Sequence, residues 1–468
     1  MVNDDEFDNI APVTQHNELQ DQSEGDVDLH PDLNERYDLS GDLGIPSTSV
    51  TSEPLVLNEM QDDEYRTMAA EMAADNRFAE WKFDENLKKA MKEYVKQGLK
   101  REEALDFLRR DYPQYPWSVR SLDRRLRHFE INYNDNNVNF EEVRSAVNEE
   151  LKGPGKLLGY RAMHKKIRQK YDLFVSRDKV YDMLYDLDPD GVEARGGVGA
   201  KKKKKKGNFT SNGPNWVHSL DGHDKLMGYQ NSTFPIAIYG CLDTASRKLL
   251  WLRVWTSNSN PQLIGRWYIE HLLETKVVSA MMRVDKGTET GTLATIHAFL
   301  RRHHTDGMDP ADTILYGPST SNQIERWWKE LHERMEKFFK DQLRWLKDQA
   351  HYDPHDEVDR MLLAFIMVPI VQKELDTFKE TIWNTHRIRM QKDTVLPDGI
   401  PNHIYNFPQQ YGLEECGFPV TEDQIKEAAV ESGVLGIAED FLTPEFIDLL
   451  KPADCKEAFI YLKQNLND

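Results

Sequence analysis

Cysteine is scarce in this chain of 468 residues: Cys241, Cys416 and Cys455 stand far apart. They offer no zinc-ligand spacing and no disulfide framework, which fits a reducing compartment. Long apolar runs are also missing. No run of about 18 apolar residues occurs, so no membrane span is expected. The N-terminus, MVNDDEFDNI, lacks the apolar stretch of a secretion signal. Basic residues are nearly absent from residues 1–70, which hold 18 Asp and Glu against Arg36 and Arg66 alone. That segment carries −16 of the net charge of −20, leaving −4 on residues 71–468. The acidic total therefore does not exclude a nucleic-acid partner for the rest of the chain.

What is present divides the chain into several units, as its length allows. Residues 1–63 are polar and acidic with little periodicity and are expected to be a disordered tail. Such a tail screens a basic surface or recruits a protein partner, or simply solubilises the chain. Residues 64–131 turn helical. Met68, Met72 and Phe78 are followed by Trp81, Leu87, Met91 and Val95, and Gly98 is placed to end the helix. The segment KREEALDFLRRDYPQYPWSVRSLDRRLRHF then reads as helix, turn, helix, with Ser118 capping the second helix. Arg120, Arg124, Arg125 and Arg127 spread around its polar side, which suits a major-groove reader with phosphate contacts. The plainer alternative is a small bundle whose arginines face water.

Residues 140–190 repeat the pattern. GYRAMHKKIRQKYDLFVSRDKVYDMLYDLD gives a second helix-turn-helix unit with Ser176 as a cap, and Lys165, Lys166, Arg168 and Lys179 make it basic. Two such units in succession strengthen the expectation of double-stranded DNA as partner. Residues 191–214 form a linker with six consecutive lysines at 201–206. Lys201, Lys202 and their neighbours bind phosphate non-specifically or serve as a nuclear import signal, so the nucleus is the expected location.

After Trp216 the period changes from helical to strand-like. WVHSLDGH, PIAIYGCLD and KLLWLRVW follow one another as an antiparallel meander. PQLIGRWYIEHLLETK is a helix opened by Pro261. VVSAMMRVD reads as a fourth strand ending at Asp285, TLATIHAFLRRHH as a helix and DTILYG as a fifth strand. A helix starting near Ser321 carries Glu325. The expected fold is α/β, a mixed five-stranded sheet flanked by helices, preceded by small all-α units. Asp221, Asp285 and Glu325 lie on three separate elements, and three such acids can converge to hold two Mg²⁺ ions for phosphodiester chemistry. Taken singly, an Asp after a strand is more often a loop cap. Asp243 reads as a structural acid of the ASR turn, and His223 as a supporting or surface residue. Residues 421–468 read as short helices: TEDQIKEAAVESG, LTPEFIDLL and DCKEAFIYLKQNL.

The motifs LDGHDKL from Leu220, LDTASRK from Leu242, RVDKGTE from Arg283 and SNQIERWW from Ser321 occur in order. Over about residues 215–412 the chain resembles integrase catalytic cores of the retroviral and transposon type, of the DDE superfamily and ribonuclease H-like fold. Within these it resembles the eukaryotic transposon-derived branch. The resemblance implies a catalytic and metal-binding triad of Asp221, Asp285 and Glu325. It implies two Mg²⁺ or Mn²⁺ ions per site, with cleavage and strand transfer of DNA. It also implies a homo-oligomer. The alternative is a domesticated DNA-binding or scaffold protein without catalysis. Lys225, Lys286, Asn322, Gln323, Arg326 and Lys329 are candidate DNA contacts around the triad. Lys329, four residues after Glu325, shares its helix face.

Overall fold

The computed structural model describes residues 79–135, 137–196, 211–228, 232–317, 323–390, 395–434 and 449–466. The acidic segment 1–63, the lysine run with Lys201 and Lys202, Asn322 and most of LTPEFIDLL lie outside the described residues. So does the expected helix start near Glu64.

A short 3₁₀ turn, Ala79–Phe83, leads into the first helical unit. Helix α1 (Glu85–Gln97) is capped by Asp84, which accepts from Leu87 N at 2.9 Å, and it stops at Gly98, whose φ of 73° suits glycine. Helices α2 (Arg101–Asp111) and α3 (Val119–His128) follow. Ser118 and Ser121 satisfy each other's backbone N–H at the start of α3. Leu87, Met91, Leu105, Leu108, Leu122 and Leu126 close the core of this unit. The second unit contains α4 (Phe140–Lys152), α5 (Tyr160–Tyr171), α6 (Arg177–Leu187) and α7 (Pro189–Gly196). It is built on Val143, Val147, Met163, Ile167, Val180 and Leu184. Both segments are small helical units that precede the sheet. Ser176 occupies the cap position of α6 without a side-chain cap bond.

The sheet consists of β1 (Val217–His223), β2 (Ala237–Asp243), β3 (Leu249–Trp255), β5 (Met281–Val284) and β6 (Ile314–Tyr316). Its order is β3-β2-β1-β5-β6, antiparallel across β1, β2 and β3 and parallel across β1, β5 and β6. The expected fourth strand is two strands. Val277–Val278 form β4 and leave the main sheet to pair with β7 (Phe418–Pro419). Ser279 and Ala280 separate β4 from β5, and Ala280 N bonds to Asn215 O at 2.8 Å.

Strand alternation then assigns the two faces. On one face, Leu220, Tyr239, Cys241 and Trp251 meet α8 (Pro261–Thr275), α9 (Gly291–Arg301) and α14 (Glu422–Glu431). On the other, Ile238, Leu242 and Leu252 meet α10 (Gln323–Leu331), α11 (Lys337–Asp348) and α12 (Glu357–Thr377). A π-helical turn, His332–Glu336, joins α10 to α11. Gln372 of α12 covers the edge of β3, accepting from Val254 N at 3.0 Å and donating to Leu252 O at 3.1 Å. Helix α13 (Pro401–Asn406) returns to the first helical unit, and α15 (Cys455–Asn465) packs on α12. Among the described residues no helix is long and apolar enough to cross a membrane.

Candidate functional site

Ser219 and Asp221 project from β1 toward α10. Ile324 N donates to Ser219 Oγ at 3.2 Å, and the Trp328 indole N–H donates to Asp221 Oδ2 at 2.8 Å. Gly240 sits opposite Asp221 across the β1–β2 ladder. A Cβ there would lie 2.7 Å from Leu252 Cδ2 and 3.0 Å from the Trp328 ring, so the missing side chain lets α10 rest on the sheet. Asp221 is not the last residue of its strand, because the ladder continues two residues further, to His223 paired with Ile238.

The other two acids act on Asp221. Asp221 is 6% exposed, and its carboxyl is pushed up to about 8. Burial is the largest cause, the charge of Glu325 adds to it, and the Trp328 hydrogen bond pulls the other way. Asp221 also hydrogen-bonds to Glu325, and Asp285 raises it further. The Asp221 carboxyl therefore keeps its proton to a higher pH than a free carboxylate does. Asp285, half-buried, accepts from Gly287 N at 3.1 Å and so caps its own loop. Glu289 is raised by burial above all, with Asp285 and Asp224 adding to it. The buried Tyr239 hydroxyl is held far above its usual range by burial and then by Asp221, Glu289 and Asp285.

This arrangement overturns the expected pair of Mg²⁺ or Mn²⁺ ions. Among the described residues no three His, Cys, Asp or Glu side chains form a group that could hold a metal ion. Hard divalent cations need several carboxylate oxygens turned to one point. Here one Asp221 oxygen faces an indole N–H, the carboxyl is bonded to Glu325, and Asp285 is turned to its own backbone.

Behind Asp221 lies a network that the sequence did not disclose. The Trp328 ring stacks on His223, with centroids 4.6 Å apart and planes 13° from parallel. His223 Nε2 and His332 Nδ1 lie 3.0 and 3.1 Å from Oε2 of the fully buried Glu336. Burial would raise Glu336, but the two histidines outweigh it and hold the carboxyl below its ordinary value. His223 is thus an internal bracing residue. Asp243 is wholly buried, and it accepts from Asn215 N at 2.7 Å and from Ser246 N at 2.8 Å.

The basic candidates divide by burial. Lys225, Lys286, Arg326 and Lys329 are exposed around the acids, and Gln323 is half-buried. On α3, Arg120 and Arg127 are exposed and Arg124 is half-buried. Arg125 is different: it is fully buried over the Trp117 ring at 4.2 Å and donates to Pro116 O at 2.9 Å. Lys165 donates to the Thr385 hydroxyl at 3.0 Å. Lys166 is buried between Glu150 and Glu374, at 2.8 and 3.3 Å. Arg168 is buried and donates to Val95 O at 2.6 Å. These four cations are structural braces, because their charges are spent on protein partners and closed off from phosphate. The ammonium of Lys179 lies over the Phe140 ring at 4.4 Å. The exposed side of α6 carries Asp178, Asp182 and Asp186, so the second unit presents a far less basic face than the first.

Residues 209–405 match the family model described as integrase core domain. This stretch is similar to an integrase core domain. The mixed five-stranded sheet with helices on both faces matches a ribonuclease H-like α/β fold. No curated protein matches the chain.

Proposed function

We propose that this chain is a transposon-derived DNA-binding or scaffold protein that keeps an integrase core without its metal-dependent chemistry. The observation that supports this reading most is the state of the acids. Asp221 is engaged by Trp328 and Glu325, and the described residues offer no set of ligands for a cation. The core then acts as a rigid platform. Its exposed Lys225, Lys286, Arg326 and Lys329, with Arg120, Arg124 and Arg127 of α3, supply positive charge for the phosphate backbone. The partner is double-stranded DNA, the location is the nucleus and the working form is a homo-oligomer.

A second reading, cleavage and strand transfer at Asp221, Asp285 and Glu325, is favoured by one observation: both other acids act on the Asp221 carboxyl. One experiment separates the two readings. Full-length protein is mixed with labelled duplex, including ends of the mobile element, in buffer with Mg²⁺ or Mn²⁺, beside Glu325→Gln. The scaffold reading expects salt-sensitive binding by both proteins and no cleaved or joined product. Products that appear with the parent and vanish with Glu325→Gln would establish the second reading instead.

A further inference from the structure

Three histidines meet in the layer between the sheet and helices α8 and α9. His218 stands on β1, His271 on α8 and His297 on α9, and all three are buried. The His218 and His271 rings lie 6.1 Å apart, and His218 also acts on His297. Two of the rings are held at one nitrogen by neutral partners: His218 Nε2 by Asn215 Oδ1 and His297 Nδ1 by the Tyr268 hydroxyl, each at 2.9 Å. The opposite nitrogens, His218 Nδ1 and His297 Nε2, and His271 Nε2 have no hydrogen-bond partner among the described residues. The surrounding groups supply no acceptor for them. On β2, Asp243 faces His218 in register, but its carboxyl accepts from Asn215 N and Ser246 N. Lys248 and Arg253 at β3 and Lys379 after α12 oppose a positive charge on His271, and Arg301 of α9 opposes one on His297. Glu270 of α8 turns to Arg253 at 3.4 Å. Burial holds the Cys241 thiol and the Tyr268 hydroxyl far above their usual ranges. Strand β5 meets the layer through Met282 and Val284, and α14 through Ile425 and Ala428.

We propose that His218, His271 and His297 form an acid-sensitive latch: α8 and α9 stay seated on the sheet while the three rings are neutral, and acid releases them. A charged imidazole carries N–H on both nitrogens, and in each of these rings one such N–H would face no acceptor. The added charge would also be buried beside another histidine and nearby cations. When the layer opens, the rings reach water and take up protons near pH 6.5. While it is closed, burial above all holds His218 and His297 down to about 3 and His271 well below its ordinary value. Proton affinity is thus depressed in the closed layer. Its stability is complete above about pH 6.5 and falls as pH drops below that value. Helix α12, on the other face of the sheet, contains no histidine and lies outside the latch.

The test is hydrogen exchange of the full-length protein, read by mass spectrometry between about pH 7 and about pH 5 and corrected for the intrinsic exchange rate at each pH. One histidine that takes up a proton only on opening multiplies the opening constant about 25-fold over that range. Residues 261–275 and 291–301 are expected to lose protection by at least that factor, while α12 keeps its own. His297→Asn retains a partner for the Tyr268 hydroxyl but cannot take up the proton, so it should shrink the loss about 25-fold. A second readout needs no variant: the imidazole NMR signals of His218, His271 and His297 in the folded protein should not titrate between about pH 7 and about pH 5. Protection lost from α12 in step with α8 and α9 would make the change a global unfolding and overturn the latch. Equal losses in parent and His297→Asn, or a ring of the three that titrates near pH 6.5 in the folded protein, would overturn it too.

Discussion

Burial raises the Asp221 carboxyl to about 8, and a pH effect on folding follows. The unfolded chain releases this proton near its ordinary value of about 4. Between about pH 4 and 8 the folded protein binds the extra proton, so its stability falls as pH rises through that window. Asp221→Asn cannot ionise and still accepts from Trp328. The variant is expected to be more stable than the parent at pH 8, by several kcal/mol, and indistinguishable from it near pH 4. Urea unfolding at the two pH values measures this, and parallel pH profiles for parent and variant would count against the raised Asp221 carboxyl. Individual side chains were legible in the sequence only where local chemistry dictated them. Asp243 reads as structural because a strand-end Asp before a Ser-containing turn bonds to its own loop, and it does. Lys166 and Arg168 read as DNA contacts because helical spacing cannot tell a cation in water from one drawn in toward Glu150 or Val95 O. Nothing in the local sequence marks the Trp328 N–H for Asp221.

Helix α10 reaches its place because Gly240 yields space to it. Gly240→Val would drive a side chain into Leu252 and the Trp328 ring. It should cost about 1–3 kcal/mol and weaken the Trp328–Asp221 bond. A lowered melting temperature with altered tryptophan fluorescence checks this, and an unaltered spectrum would mean that the helix does not sit on Gly240. The π-turn His332–Glu336 is the second device of this element. Glu336→Ala strips His223 and His332 of their shared acceptor and opens a void behind Trp328. A loss of about 3 kcal/mol or more is expected in unfolding experiments. Strands, helices and caps were largely legible in the sequence, because alternation and 3.6-residue periodicity are local signals. The split of VVSAMMRVD into β4 and β5 was not, since Val277 and Val278 find their partner in Phe418–Pro419, far along the chain. The π-turn was equally hidden, because an amphipathic stripe continues through it from Leu331 to Phe339.

The helical units and the core form one packed body. Arg387 holds Glu103 through two contacts of 2.8 Å, and the Phe107 and Phe407 rings meet edge to face at 4.8 Å. Arg110 donates to Asn406 at 2.8 Å. These contacts fix α2, and α3 packed against it, relative to the core. Phe107→Ala should cost about 3–5 kcal/mol, and hydrogen exchange should show α2 and α13 opening together. Protection that stays intact in α13 would mean that the units dock by other contacts. Charge segregation was the part of the whole molecule most legible from sequence. The docking of α2 on α13 was not, because it joins residues almost 300 positions apart whose spacing carries no signal. The measurement closest to the central claim is a calorimetric titration of Mn²⁺ into the full-length protein with duplex DNA bound. The account predicts no saturable binding that depends on the acids, so parent and Asp221→Asn give the same trace. A saturating isotherm for the parent that is abolished in Asp221→Asn would contradict it.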